Sequence, residues 1–232
     1  MQRTLPFLDI AFSARERTAI RAHRARRVLN VAVAAVGIVL TLPLMALIAI
    51  AVRLTSRGPV IYRQPRVGVD RRALTYARGN TRRHFDVGGK LFTIYKFRTM
   101  YVDASNGREQ WAQEGDRRIT PVGRWLRCLR LDELPQLFNV LKGDMNVVGP
   151  RPEQPTLFVE LRELIEGYQR RQRVLPGITG LAQVTYSYDS SVDDVRRKLR
   201  VDLDYIRNES VLQDVSIMAR TIPVMLGMRG GW

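Results

Sequence analysis

The chain has little of the chemistry that stabilises secreted domains or binds zinc. Its single cysteine, Cys128, cannot form an internal disulfide, which fits a reducing compartment. Its two histidines, His23 and His84, lack the spacing of a His/Cys zinc site. Acidic residues are also scarce, and none occurs between Arg17 and Val69. The hydrophobic content of 45% is enough for a core, and the net charge of +16 indicates an anionic partner: nucleic acid, a membrane surface or phosphorylated substrates.

The uncharged segment 28–52 predicts a membrane helix. A helix of this length reaches ~37 Å, which exceeds the ~30 Å hydrocarbon core of a bilayer. Two interpretations are open: one spanning helix, or a re-entrant helix that bends at Leu42 and Pro43 and returns. Proline kinks a helix, and arginines on both flanks prefer the same cytoplasmic face, so both features favour re-entry.

The predicted organisation therefore has three parts: a basic segment 1–26, a membrane helix 27–54 and a catalytic domain 55–232 on the cytoplasmic face. The basic segment fits either an amphipathic surface helix or a solvated tail. Residues 60–62 and 91–98 have the composition of strands, and a loop at 70–90 would join them in a hairpin. Lys96 and Arg98 alternate onto one strand face, where they form either a phosphate clamp or a solvated surface.

Two adjacent carboxylates lie just ahead of a predicted short helix. Pro135 suits the first position of that helix, and Gly143 its end, whereas residues 119–123 read as a turn and 124–130 as helical. Asp132 and Glu133 would then precede the helix N-terminus, where unpaired N–H groups favour negative charge. The alternative is that Asp132 only caps the helix.

Three amphipathic helices are predicted downstream, over 155–170, 192–206 and 211–228. The last is interrupted by Pro223 and fits either a membrane-surface helix or a buried one.

Several motifs in register make the chain similar to the bacterial sugar transferases, the monotopic polyprenyl-phosphate phosphoglycosyl transferases. The resemblance runs from about residue 27 to the C-terminus and rests on four stretches: Tyr95-Lys96-Phe97-Arg98-Thr99-Met100, Leu131-Asp132-Glu133-Leu134-Pro135-Gln136-Leu137, Leu141-Lys142-Gly143-Asp144-Met145 with Val148-Gly149-Pro150-Arg151-Pro152, and Pro176-Gly177-Ile178-Thr179-Gly180-Leu181-Ala182-Gln183.

The resemblance implies an α/β, membrane-associated fold with a re-entrant helix, a small β-hairpin and interfacial helices. It implies transfer of a sugar 1-phosphate from a UDP-sugar to polyprenyl (undecaprenyl) phosphate, with release of UMP, at the bacterial inner membrane. This is the first membrane step of exopolysaccharide, capsule or O-antigen synthesis. The multi-span module of longer relatives is not expected in this chain, and a homodimer is compatible with the sequence.

The resemblance also implies roles for individual residues. Asp132 would be the nucleophile, and Glu133 would bind Mg²⁺ or assist proton transfer. The remaining roles are phosphate binding by Arg151, Arg127, Lys96 and Arg98, nucleotide binding by Arg173, Gly177 and Gln183, and Mg²⁺ ligation by Asp132, Glu133 and Asp144. Asp144 is equally well explained as a turn residue.

The sequence departs from the family pattern at Leu181, where a tryptophan is usual, and at Cys128, Leu129 and Arg130 before the dyad. Two other classes of protein compete: a basic nucleic-acid-binding protein tethered to the membrane, and a non-catalytic membrane scaffold. No nucleic-acid reading motif or aromatic-basic platform supports the first. The identity of the sugar does not follow from the sequence.

Overall fold

The computed structural model describes residues 14–70, 87–102, 116–186 and 191–225, with side chains from residue 23 onward. These ranges contain helices, short strands and two 3₁₀ turns, Leu131–Glu133 and Tyr168–Arg173. In chain order, the helices and strands are α1 (Ala14–Thr55), β1 (Ile61–Val67), β2 (Leu91–Phe97), α2 (Pro121–Cys128), α3 (Gln136–Lys142), β3 (Asn146–Val148), α4 (Pro155–Leu164), β4 (Gly177–Thr179), α5 (Leu181–Thr185), α6 (Val192–Arg207) and α7 (Val211–Met225).

Two small sheets hold the strands of the described residues. β1 and β2 pair antiparallel, with Ile61 opposite Phe97, which confirms the predicted hairpin and extends its first strand to residue 67. Most of the predicted 70–90 loop lies outside the described residues. β3 and β4 pair parallel, with Asn146 opposite Gly177. This second sheet was not predicted, because strands of three residues show too little alternation to be recognised.

Helix α1 carries the apolar segment and extends N-terminally to Ala14, into the predicted basic segment. The start of the membrane part at residue 27 stays a prediction. Its part from His23 to Thr55 is long and apolar enough to cross a membrane. Helical structure continues through Leu42 and Pro43, so the bend at these residues stays a prediction.

The helices around the carboxylate pair are set by their termini. α2 begins at Pro121 because the Thr120 side chain accepts a hydrogen bond from the Gly123 N–H, so the predicted turn over 119–123 is wrong. α3 ends as predicted, with Gly143 in the left-handed region at φ 84°.

The C-terminal helices pack by their predicted apolar faces. α4 is shorter than the predicted 155–170 helix, because Gly167 adopts φ 78° and the chain continues as a 3₁₀ turn. Phe158 and Tyr168 nevertheless meet in one core cluster with Leu199 of α6. α6 confirms the prediction over 192–206. α7 contributes Ile217 to a second core cluster, so at least one of its faces is buried.

Candidate active site

The two carboxylates lie in a tight turn between α2 and α3. Arg130 precedes them in the left-handed conformation, at φ 53°, and the 3₁₀ turn Leu131–Glu133 follows. This backbone brings both acidic side chains inside, so that Asp132 is 8% exposed and Glu133 is 7% exposed. A buried pair of charges requires partners that stabilise it, since burial of an unpaired charge is very unfavourable.

Glu133 has two cationic partners from different parts of the chain. Its Oε1 accepts hydrogen bonds from Lys96 Nζ at 2.7 Å and from Arg151 Nη2 at 3.1 Å. Lys96 comes from β2, and Arg151 comes from the loop after β3. Burial by itself would raise the pKa of Glu133, but the charges of Lys96 and Arg151 outweigh burial and lower it. Glu133 is therefore ionised and held in place.

The Asp132 carboxylate differs from that of Glu133 in its hydrogen bonds and in its pKa. No described residue donates a hydrogen bond to its carboxylate, although the group is buried. Burial raises the pKa of Asp132 to about 6, with Glu133 adding to the rise and the charges of Lys96, Arg127 and Arg151 opposing it. At neutral pH this carboxylate is mostly ionised, and its lone pairs are available to an electrophile or a cation.

Further cations surround the pair. Arg127, on α2, donates from Nε to Thr99 Oγ1 at 2.8 Å, and its charge lowers the pKa of Asp132. Arg130 lowers the pKa of Glu133. Lys96, Arg127 and Arg151 are thus brought together around the dyad. Their phosphate-binding role stays a prediction. From the sequence, Arg130 was noted only as a departure from the family pattern, and no role at the site was predicted for it.

A buried network behind the site holds the Arg151 loop. Arg171 donates from Nη2 to the Arg151 carbonyl oxygen at 3.1 Å, from Nη1 to Glu153 at 3.2 Å and from Nε to Asp202 at 2.9 Å. The guanidinium of Arg171 is 7% exposed. Sequence reasoning missed this residue because one arginine in a basic run carries no sign of burial.

Gly177, a predicted nucleotide-binding residue, lies in close backbone contact with the same loop. Its N–H donates to the Pro150 carbonyl oxygen at 3.0 Å, and a side chain at residue 177 would collide with the backbone of Gly149. This packing explains the glycine without a ligand. The nucleotide role of Gly177 stays a prediction.

Other predicted site residues lie apart from these contacts. Arg98 follows the end of β2 and donates to Ser56 at the end of α1, so its contacts differ from those of Lys96. Arg173 is exposed at the end of its 3₁₀ turn. Gln183 donates to the Ile178 carbonyl oxygen at 3.2 Å, and its buried Oε1 has no partner within the described ranges. Asp144 follows Gly143, the C-cap of α3.

Asp132 and Glu133 are suited to bind Mg²⁺ together with substrate phosphates, but not in a three-carboxylate cluster with Asp144. The described residues contain no group of three or more His, Cys, Asp or Glu side chains arranged for a metal, so Asp144 does not join the dyad in such a cluster. However, Mg²⁺ is commonly held by one or two carboxylates together with substrate phosphates. The Asp132 carboxylate, which accepts no hydrogen bond from the residues that the structure describes, is suited to that mode.

Comparison with known proteins decides the family. The model of the bacterial sugar transferase family matches residues 21–228. The chain belongs to the bacterial sugar transferase family. This membership confirms the resemblance seen in the motifs. The matched residues include most of α1, the dyad and the helices that follow.

The relatives of this chain are named for one kind of reaction. A UDP-N-acetylgalactosamine-undecaprenyl-phosphate N-acetylgalactosaminephosphotransferase of Aeromonas hydrophila is 42% identical over 201 residues, covering 87% of this chain and 43% of the relative. A UDP-glucose:undecaprenyl-phosphate glucose-1-phosphate transferase of Escherichia coli is 36% identical, covering 94% and 42%.

A third relative is similar to this chain in length. It is a putative undecaprenyl-phosphate N-acetylgalactosaminyl 1-phosphate transferase of Bacillus subtilis, 40% identical, with coverage of 69% of this chain and 79% of the relative. By contrast, the chain spans less than half the length of the Aeromonas and Escherichia relatives.

Proposed function

We propose that this sugar transferase moves a sugar 1-phosphate from a UDP-sugar to undecaprenyl phosphate through a covalent intermediate on Asp132. The names of the relatives support the substrates. One observation supports the nucleophile: Asp132 is a buried carboxylate that accepts no hydrogen bond from the described residues, whereas Glu133 beside it is held by Lys96 and Arg151. Two adjacent carboxylates in different environments have different roles.

The reaction divides into two displacements at phosphorus. In the first, an oxygen of the Asp132 carboxylate attacks the phosphorus that carries the sugar, the bond from that phosphorus to the bridging oxygen breaks, and UMP leaves. In the second, an oxygen of undecaprenyl phosphate attacks the same phosphorus. The bond to Asp132 breaks, the carboxylate is regenerated, and undecaprenyl diphosphate sugar is formed.

The cations of the site have a clear task in this scheme. A carboxylate and a diphosphate repel each other, so positive charge must offset both at the transferring group. Arg151 is suited to bind phosphate because its guanidinium is planar and its side chain remains 39% exposed next to Glu133. Lys96 and Arg127 add charge from either side. Mg²⁺, held by Asp132 or Glu133 with phosphate oxygens, would supply further neutralisation of the diphosphate.

The membrane placement that we propose is a re-entrant one, with the catalytic domain on the cytoplasmic face of the inner membrane. The domain packs against α1 both before and after its middle. Asn30 and Ala34 are fully buried on one side of the middle, and Met45, Ile48 and Val52 are at most 6% exposed on the other.

The apolar side chains of α1 that face away from the domain are exposed along its length, the middle included. Val39, Leu40 and Leu42 are 72%, 74% and 55% exposed, and Leu44 is 40% exposed. A helix whose two ends pack on one body, and whose outer apolar face stays exposed through the middle, fits insertion of the middle into lipid from one side. Pro43 in this middle removes a helical N–H, which favours a bend there.

Trapping of the intermediate tests the reaction. Active enzyme incubated with radiolabelled UDP-sugar in the absence of undecaprenyl phosphate should retain label on the protein, with one UMP released per label. Asp132→Asn should retain none and should lose turnover, because an amide is a poor nucleophile at phosphorus. Full UMP release by Asp132→Asn would remove the assignment of the nucleophile. Absence of both label and UMP release from the wild-type protein would instead favour the scaffold or the nucleic-acid binder.

Cysteine labelling tests the membrane placement. Cys128 is exposed and would react, so Cys128→Ser provides the background. In sealed inverted vesicles, an impermeant maleimide should label Leu5→Cys and Val60→Cys equally from outside, because both ends of the segment face the cytoplasm. Labelling of only one of the two would establish a spanning helix.

A further inference from the structure

Arg98 is a buried cation whose hydrogen bonds are incomplete. Its Nη2 donates to the backbone oxygen and to Oγ of Ser56, each at 2.7 Å, at the point where α1 ends. The residue is 5% exposed, yet its Nε and Nη1 have no hydrogen-bond partner within the described ranges. Buried donors without an acceptor are unusual in proteins, because each loses its hydrogen bonds to water and gains none in return.

The surroundings of Arg98 are positive. Burial and the charge of Arg53 both lower the pKa of Arg98, and among the described residues no carboxylate pairs with it. Arg53 is exposed and donates to the Gly58 carbonyl oxygen at 3.0 Å. Two guanidinium groups of like charge that influence each other, one of them buried with unpartnered donors, form a cationic cradle in which an anion would be stabilised.

One exposed apolar side chain adjoins this cradle, and others lie on the helices near it. Val102, which is 53% exposed, lies against Gly58 together with Arg98. Leu54 follows Arg53 and is 81% exposed. Trp125 is 71% exposed on α2, whose Leu126 packs against Val52 of α1. Cationic donors beside exposed aliphatic and aromatic groups suit an anionic head that carries a hydrocarbon chain.

We propose that Arg98, Arg53 and Ser56 form a binding site for the phosphate of a lipid, at the end of α1 and separate from the carboxylate dyad. Nε and Nη1 of Arg98 would donate to the phosphate oxygens, and Arg53 would add charge from the exposed side. The lipid chain would lie along the apolar surface of Leu54 and Val102. This inference rests on the membrane placement proposed above and does not depend on the phosphoryl transfer.

Lipid retention by the full chain in dodecyl maltoside micelles tests the site. Native mass spectrometry would count dioleoyl phosphatidate and, separately, undecaprenyl phosphate bound at increasing concentration, with dioleoylglycerol as the phosphate-free probe. Arg98→Gln should weaken binding of the phosphate lipids at least about tenfold, because it removes the charge and the two charge-assisted hydrogen bonds from Nε and Nη1. Arg200→Gln, an exposed substitution of equal charge on α6, should change nothing.

A second variant keeps the test valid if Arg98→Gln folds poorly. Arg53→Gln lies on the surface and should weaken binding several-fold without loss of structure. Binding equal to wild type in both variants would overturn the proposal and leave Arg98 as a cap of α1. Binding of dioleoylglycerol as tight as that of phosphatidate would also overturn it.

Kinetics distinguish the two sources of lipid phosphate. If the ligand is the acceptor, Arg53→Gln should raise the KM for undecaprenyl phosphate with little change in kcat. If the ligand is a bilayer phospholipid, phosphatidate binding should weaken while that KM stays constant. Asp132→Asn should bind the lipids as wild type does, so a failure of the proposed reaction and a failure of this site give different results.

Discussion

Substitution of Lys96 by glutamine should raise the pKa of Asp132. Lys96 is the strongest of the charges that lower this pKa in the folded protein, where burial raises it to about 6. The substitution removes the positive charge and leaves the carboxylate buried. Because Arg151 still contacts Glu133, that neighbour keeps a cationic partner and continues to oppose ionisation of Asp132.

The magnitude follows from the Coulomb interaction of one charge pair. Two unit charges ~6 Å apart at an effective dielectric constant of ~20 interact with about 3 kcal/mol, which corresponds to about 2 pKa units. Water that enters the vacated space would reduce the shift, so we expect a rise of about 1 to 2 units. Asp132 would then change from mostly ionised to at least half protonated at pH 7.

Infrared titration of the metal-free protein measures this directly. The carboxylic acid band that is absent in Asp132→Asn identifies the group, and its midpoint should move upward from about pH 6 in Lys96→Gln. The activity of Lys96→Gln should recover in part as the pH is raised. Lys142→Gln is the matched control, because Lys142 donates to Tyr95 Oη at 2.7 Å and does not contact the dyad. An unchanged midpoint in Lys96→Gln would refute the electrostatic account of Asp132.

Three further substitutions test the packing that supports the site. Arg26→Met should destabilise the protein by about 3–5 kcal/mol, measured by thermal unfolding, because it leaves Asp214 buried without its cation; replacing Asp214 by leucine as well should restore part of the loss. Gly177→Ala should lower both the melting temperature and activity, since its methyl group collides with the Gly149 backbone; wild-type values would contradict the close approach. Thr120→Ala should lower stability by about 1 kcal/mol, and an unchanged melting temperature would exclude its capping role.

Local structure was predicted well where the signal lies in neighbouring residues. Pro135 and Gly143 bound a short helix in the sequence and in the structure, since proline and a left-handed glycine act on their own backbone. The strand that pairs with 91–98 was also predicted from its own residues, because its composition is typical of strands. The parallel pairing of β3 with β4 was missed, because it joins residues ~30 apart through strands too short to show a period.

The sequence by itself determined the apolar segment, the basic charge and the Asp132–Glu133 pair, because these depend on residue type and order alone. Only the tertiary structure decided which cations serve the dyad: Lys96 contacts Glu133, whereas Arg98 two residues later contacts Ser56. It also decided that, within the described part of the chain, hydrogen bonds hold Glu133 and none reaches the Asp132 carboxylate. The physical reason is that burial and the distances between charges set a carboxylate's state, and both arise when distant parts of the chain pack together.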